Sequence, residues 1–248
     1  PVLERDISSA VGLVKPPRTA LRRMTPPCPA RYARQMTRYQ RHHWLLAATL
    51  AGLAGFVDAI GFLETGGFFT AFMSGNSTRM AVGAVHDASA GIAAAMIATF
   101  VTGVTLGAVL GNHCEARTRL PVTVLLVATL LALAAGLAMA RLQVAAIGCT
   151  LLAMGAENTA FQREGQVSIG LTYMTGTLVK LGQALARVHQ RGHRGEWLPY
   201  LLLWAGLVTG ALLGALAFQA WGLSALWVSA GLGLALAGIA TLPQFAME

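Results

Sequence analysis

Six stretches of this chain stay apolar for about 20 residues each, the length an α-helix needs to cross a bilayer. They cover residues 44–63, 88–111, 121–140, 142–161, 197–219 and 223–243, and they hold only two charges among them, Asp58 and Glu157. Two more stretches, 66–85 and 167–188, are apolar but interrupted, by Arg79 in one and by Lys180 in the other. Charged residues make up 11% of the 248, against about 25% in a soluble domain. That share cannot solvate the surface of a chain this long, so most of the surface faces lipid. The expected fold is an all-α integral membrane protein with six to eight transmembrane segments.

The net charge of +8 suggests nucleic acid only until the charges are located. Residues 1–43 hold nine Lys/Arg against Glu4 and Asp6, which leaves the other 205 residues almost neutral. The tail is broken by Pro16, Pro17, Pro26, Pro27 and Pro29 and has no periodic apolar face. It is expected to be a disordered, basic cytoplasmic arm, without the folded reading element that nucleic-acid binding needs. Residues 44–248 then form one membrane domain. Cys28, Cys114 and Cys149 share no metal or disulfide spacing, and His189 with His193 finds no third ligand. No metal and no cofactor is expected.

The two interrupted stretches resemble each other. Phe72-Met73-Ser74-Gly75-Asn76-Ser77-Thr78-Arg79-Met80 matches Tyr173-Met174-Thr175-Gly176-Thr177-Leu178-Val179-Lys180-Leu181 in chemical type at six positions, at an offset of 101. The flanking spans follow a similar shift, and each half carries an acid in its first span, Asp58 and Glu157. We read this as an internal duplication, with repeat one over about 44–140 and repeat two over about 142–243. Each repeat has one Gly-interrupted motif helix. If both motif segments cross, there are eight spans; if both return to the side they entered, there are six crossings and the repeats are inverted. With the N-terminus inside, six crossings leave only Arg141 outside, so the distribution of bases favours six.

Gly55-Phe56-Val57-Asp58-Ala59, Met73-Ser74-Gly75-Asn76 and Tyr173-Met174-Thr175-Gly176-Thr177 resemble signature stretches of the YoaK-like bacterial membrane proteins, a family of unknown function. The resemblance runs from about residue 44 to the C-terminus. It implies a multi-pass protein of the bacterial inner membrane and names no substrate. Ser74 stands where the family pattern has Thr, and Glu157 where it tends to have Gln.

Charges within a bilayer cost at least about 2.5–3.5 kcal/mol and mark partners, cavities or pathways. The expected substrate site gathers Asp58, Ser74, Gly75, Asn76, Arg79, Glu157, Asn158, Thr175, Gly176 and Lys180 at the interface of the repeats. Breaks at 74–76 and 175–177 would expose helix N-terminal N–H groups to an anionic group, with Arg79 and Lys180 beside it. No phosphate loop, nucleophile elbow or metalloprotease helix is present in the sequence, so no enzyme is expected. The reading is a permease or channel for a small, anionic solute, with one half rocking against the other. The alternative is a non-transporting membrane component whose charges pair structurally and whose basic tail binds a partner or anionic lipid.

Overall fold

The structure is a computed structural model that describes residues 41–86, 89–163, 166–167, 170–189 and 195–245. The chain divides into Pro1–Gln35 and Met36–Glu248, and every described residue lies in the second unit. The expectation for the basic tail falls almost wholly outside the described residues.

Among the described residues eight α-helices follow in order: α1 Arg41–Glu64, α2 Met73–His86, α3 Ser89–His113, α4 Ala116–Met139, α5 Gln143–Glu157, α6 Met174–Ala186, α7 Leu198–Trp221 and α8 Leu226–Ala240. A two-residue hairpin, Gln162–Arg163 paired antiparallel with Gln166–Val167, is the only sheet among the described residues. Among the described residues, four stretches are long and apolar enough to cross a membrane: His42–Glu64, Ser89–His113, Ala116–Met139 and Leu198–Ala240. The last, at 43 residues, would rise about 65 Å if unbroken, twice the thickness of a bilayer core. It is broken at Gly222, whose φ of 55° is a backbone state glycine takes without a steric penalty. Leu106, Val109, Leu133, Leu212, Leu216 and Leu234 point outward, so the apolar outer surface matches the composition.

Two helix seams are closed by glycine. On α1 and α7, a methyl at Gly55, Gly210 or Gly214 would strike the carbonyl oxygen of Leu207, Gly52 or Phe56 respectively. On α3 and α5, a methyl at Gly155 or Gly103 would strike the carbonyl oxygen of Phe100 or Leu152, and one at Gly107 would lie 2.9 Å from Ala156 Cα. Small residues that let backbones approach are the usual basis of helix association where lipid removes the hydrophobic drive.

These contacts also fix direction. Gly206, Gly210 and Gly214 meet Ala48, Gly52 and Phe56 in ascending order, so α7 runs parallel to α1. Gly103 and Gly107 meet Leu152 and Ala156, so α3 runs parallel to α5. α8 runs back against α1, from the cluster of Ile60, Ala225 and Leu226 to the edge-on packing of Phe245 on His42 and His43. Gly233 meets Ala128 while Leu226 packs with Ala134 and Ala135, so α4 is antiparallel to α8. Arg119 ties the end of α3 to the hairpin, donating from Nε to Gly111 O (2.8 Å) and from Nη1 to Gln162 O (3.4 Å). One end of the bundle therefore holds the start of α1, the α3–α4 link, the hairpin, the start of α7 and the end of α8. The opposite end holds Glu64, Arg141 and the Gly222 turn.

Candidate functional site

The chain between α1 and α2 leaves helix geometry because Gly66 (φ 68°) and Gly67 (φ 116°) turn it back on itself. The Gly67 N–H closes on Phe62 O at 2.8 Å, as left-handed helix ends commonly do. The Thr65 hydroxyl donates to Gly61 O (2.7 Å) and accepts from the Phe68 N–H (3.0 Å). Two side chains then hold the returning segment. Asp58 Oδ1 accepts the N–H groups of Thr70 (2.6 Å) and Ala71 (2.7 Å). The buried Asn76 amide accepts the Phe69 N–H (2.9 Å) and donates to Phe69 O (2.7 Å). An amide side chain carries separate donor and acceptor atoms, so it can meet both groups of one residue's backbone at once.

The second break is built from different groups. Asn158 Nδ2 donates to Met154 O (2.9 Å) and Thr159 Oγ1 to Ala156 O (2.7 Å), and side chains that bond the preceding turn compete with helix continuation. α5 stops there, well short of residue 161. The Thr172 hydroxyl donates to Asn158 Oδ1 (2.9 Å), bringing the approach to α6 back against α5. Asn158, not Glu157, thus stands where Asp58 stands in the first break.

The two half-helices begin at the same place. A cavity of about 300 Å³ is lined by Met73 and Ser74 of α2, by Tyr173, Met174, Thr175 and Gly176 at the start of α6, and by Phe100 of α3. A second cavity, of about 430 Å³, reaches Asp58 and is otherwise walled by apolar groups that include Phe62, Phe69 and Leu207. Ala71, Phe72, Thr172 and Met174 line both. Hydroxyls from Ser74, Thr172 and Thr175 and the first turns of two helices supply the polarity of the smaller cavity. It is lined by no charged side chain.

The sequence-predicted residues divide accordingly. Ser74, Thr175, Gly176 and, in the adjoining cavity, Asp58 come together. Asn158 is one bond away, through Thr172. Gly75 packs under Phe69 and Phe72, where a methyl would fall 2.7–2.8 Å from their rings, and Asn76 is spent on Phe69. Both triplets lie in the first turns of helices that start at Met73 and Met174, so the breaks precede the motifs and do not interrupt them. Arg79 lies over the Phe68 ring, 4.8 Å from its centre, and lines neither cavity. Lys180 is exposed on α6. Among the described residues the one salt bridge joins Arg187 to Glu196 at 3.7 Å, so neither base pairs with Asp58 or Glu157. Glu157 is fully buried, and neither of its oxygens has a hydrogen-bond partner. Sequence reasoning missed Thr172, Phe100 and Tyr173; no motif marks the first two, and Tyr173 was read only as the motif's aromatic position.

Apolar helices of membrane-spanning length, close glycine seams and two helices that start beside one open cleft are the features of a helical membrane protein. The chain belongs to the DUF1275 family, described as a protein of unknown function, which it matches over residues 46–239. It is 34% identical over 183 residues to a UPF0700 transmembrane protein of Rhizobium meliloti (strain 1021), covering 74% of this chain and 79% of that one. No solved structure matches the chain.

Proposed function

We propose that the protein is a permease or channel of the bacterial inner membrane for a small solute, bound in the cavity where α2 and α6 begin. The observation that carries this reading is the convergence of two half-helix starts from separate parts of the sequence on one largely apolar cleft that also holds the hydroxyls of Ser74, Thr172 and Thr175. In lipid, irregular backbone is tolerated only where protein buries it or water reaches it, and broken helices around a central site are the usual construction of a transporter. Two positive helix ends suit an anionic or hydrogen-bond-accepting group. Arg79 and Lys180 line neither cavity and the Thr172 hydroxyl donates to Asn158, so the backbone and the hydroxyls of Ser74 and Thr175 would make the contacts.

The reading includes an internal duplication with six crossings. A shift of 100 residues carries Gly52, Gly55, Phe56 and Asp58 onto Leu152, Gly155, Ala156 and Asn158. A shift of 107 carries Phe100, Gly103 and Gly107 onto Leu207, Gly210 and Gly214. Under these two shifts the contacts of Gly55, Gly210 and Gly214 map onto those of Gly155, Gly103 and Gly107, while that of Gly206 with Ala48 has no counterpart at Gly148. Helix directions alternate if α2 and α6 each return to the end they entered from. Arg117, Arg119, Arg163 and Arg187 then lie at the end of the bundle that holds the start of α1, which supports a cytoplasmic N-terminus.

The alternative, a non-transporting component, draws on Asp58, whose bonds to Thr70 and Ala71 give it a structural task. A thermal-shift screen of the purified protein against inorganic anions, small organic acids and neutral solutes separates the two, because ligands of the folded state raise its stability. Stabilising solutes should then cross proteoliposome membranes that contain the protein. No stabilising solute and no flux would leave the alternative.

A further inference from the structure

Glu157 is the one acid in the bundle interior whose carboxyl has nothing to bond. It is 0% exposed, and both oxygens lack a hydrogen-bond partner among the described residues. The Thr123 hydroxyl on α4 is buried and unpartnered as well. α4 and α5 form an antiparallel pair joined at residues 140–142, so Thr123 and Glu157 lie within about one helical turn of the same depth. Asp58 shows how this chain treats an acid that only shapes the backbone: it gives it two N–H donors. Glu157 receives none, although Asn158 beside it is fully engaged.

The groups around it offer no counter-charge. On α3 the one ionisable residue is His113, exposed at the helix end with its ring nitrogen on Val109 O at 2.8 Å. On α4, Arg117 is exposed and Arg119 is committed to Gly111 O and Gln162 O. On α1, Arg41, His42 and His43 lie at the start, Glu64 at the far end, and Asp58 is bound to Thr70 and Ala71. On α5 itself Cys149 is two turns earlier. No set of three or more metal-ligating side chains occurs among the described residues, and Glu157 lines neither cavity. A metal cation needs several oxygens and space; a proton needs neither.

We propose that Glu157 is an exchangeable-proton site: it holds a proton while enclosed by the bundle and releases it when water gains access. An isolated buried carboxylate is among the costliest groups a protein can hold, so opening and proton release are linked. The proton site stands on the burial of Glu157 alone. Its use to drive solute movement rests on the permease reading.

Infrared difference spectra of the protein in lipid nanodiscs, recorded between two pH values at which it stays folded, read the site directly. The parent should show a pH-dependent carbonyl stretch of a protonated carboxylic acid, lost in Glu157→Gln and retained in Asp58→Asn. Glu157→Met serves as a second variant should the amide fold poorly. A band that survives both Glu157 variants, or a Glu157 band that never responds to pH, would overturn the proposal. The band with no flux of any stabilising solute would keep the proton site and remove the permease. Flux that is independent of the pH gradient, with the band present, would keep both and remove the coupling.

Discussion

Gly210→Ala tests the packing on which the rest of the structure depends. The added methyl carbon would lie on the Gly52 carbonyl oxygen, 2.6 Å from its carbon and 2.8 Å from Gly52 Cα, where ordinary contact begins at 3.4 Å. The obstacle is backbone in mid-helix and cannot rotate away, so α1 and α7 must part by at least about an ångström. A gap of that size forfeits about a quarter to a half of each dispersion contact along the seam. Overpacking of a rigid site costs typically about 1–3 kcal/mol, and alanine's better helix propensity returns up to about 1 kcal/mol. The net expectation is a loss of about 1 kcal/mol, or about 2–4 °C in melting temperature for a chain of this size. Gly103→Ala, blocked by Leu152 on the α3–α5 seam, should lose a similar amount if the seams are duplicates. Gly231→Ala on α8, where a methyl meets nothing within 4 Å, should melt with the parent or slightly above it. Tryptophan-fluorescence melts of the three variants in detergent decide the matter. Equal melting of Gly210→Ala and Gly231→Ala would refute the close seam.

Asp58→Asn keeps an oxygen for the Thr70 and Ala71 N–H groups but loses the charge, and should cost about 1–2 kcal/mol; Asp58→Ala strands both donors and should cost about 3 kcal/mol or more. The same melts should rank them in that order. Gly176→Ala adds a methyl with nothing within 4 Å at the rim of the smaller cavity. It should leave the melt unchanged and still weaken a ligand-induced shift or flux, whereas a pure packing role would leave both unchanged. In a background lacking Cys28, Cys114 and Cys149, Leu142→Cys should react with an impermeant maleimide added outside intact spheroplasts and Glu115→Cys should not. The reverse pattern is what eight spans with a cytoplasmic N-terminus would give and would remove the inverted arrangement of six crossings in that orientation; reaction at both would mean that α4 does not cross.

The spans were legible because lipid imposes a simple rule on sequence: a long apolar run has few structures open to it. What the half-helices do was less legible, because it depends on single bonds. Asp58 and Asn76 set the first break by holding Thr70, Ala71 and Phe69, and neither partner segment carries a motif of its own. The match of Asp58 to Glu157 followed charge, whereas counting from Gly55 and Gly155 leads to Asn158. If the proposed duplication holds, backbone register at the seams outranks side-chain chemistry in aligning its two halves. Arg79 and Lys180 were assigned to the cavity from the cost of burying charge. Their length lets them lie elsewhere, Arg79 on Phe68 and Lys180 on the surface, and no sequence rule fixes the direction a long side chain takes.

The seams also bear on which parts can move in the proposed permease. Rocking of one repeat against the other would have to separate α1 from α7 and α3 from α5, since each seam joins a helix of the first repeat to one of the second. Those are the contacts where Gly52, Gly210 and Gly214, and Gly103, Gly107 and Gly155, hold backbone against backbone, and close-packed interfaces of this kind do not deform gradually. The units that can shift are therefore the seam pairs themselves, α1 with α7 and α3 with α5. Each of those pairs carries one of the two chain breaks: Asp58 lies one turn past Gly55, and Asn158 one turn past Gly155. A relative shift of the pairs would carry the start of α2 with the first and the start of α6 with the second, through Asp58–Thr70 and Asn158–Thr172. The cavity between those starts would then open or close without either seam breaking. The division that moves solute is thus expected to cut across the sequence repeats and not between them.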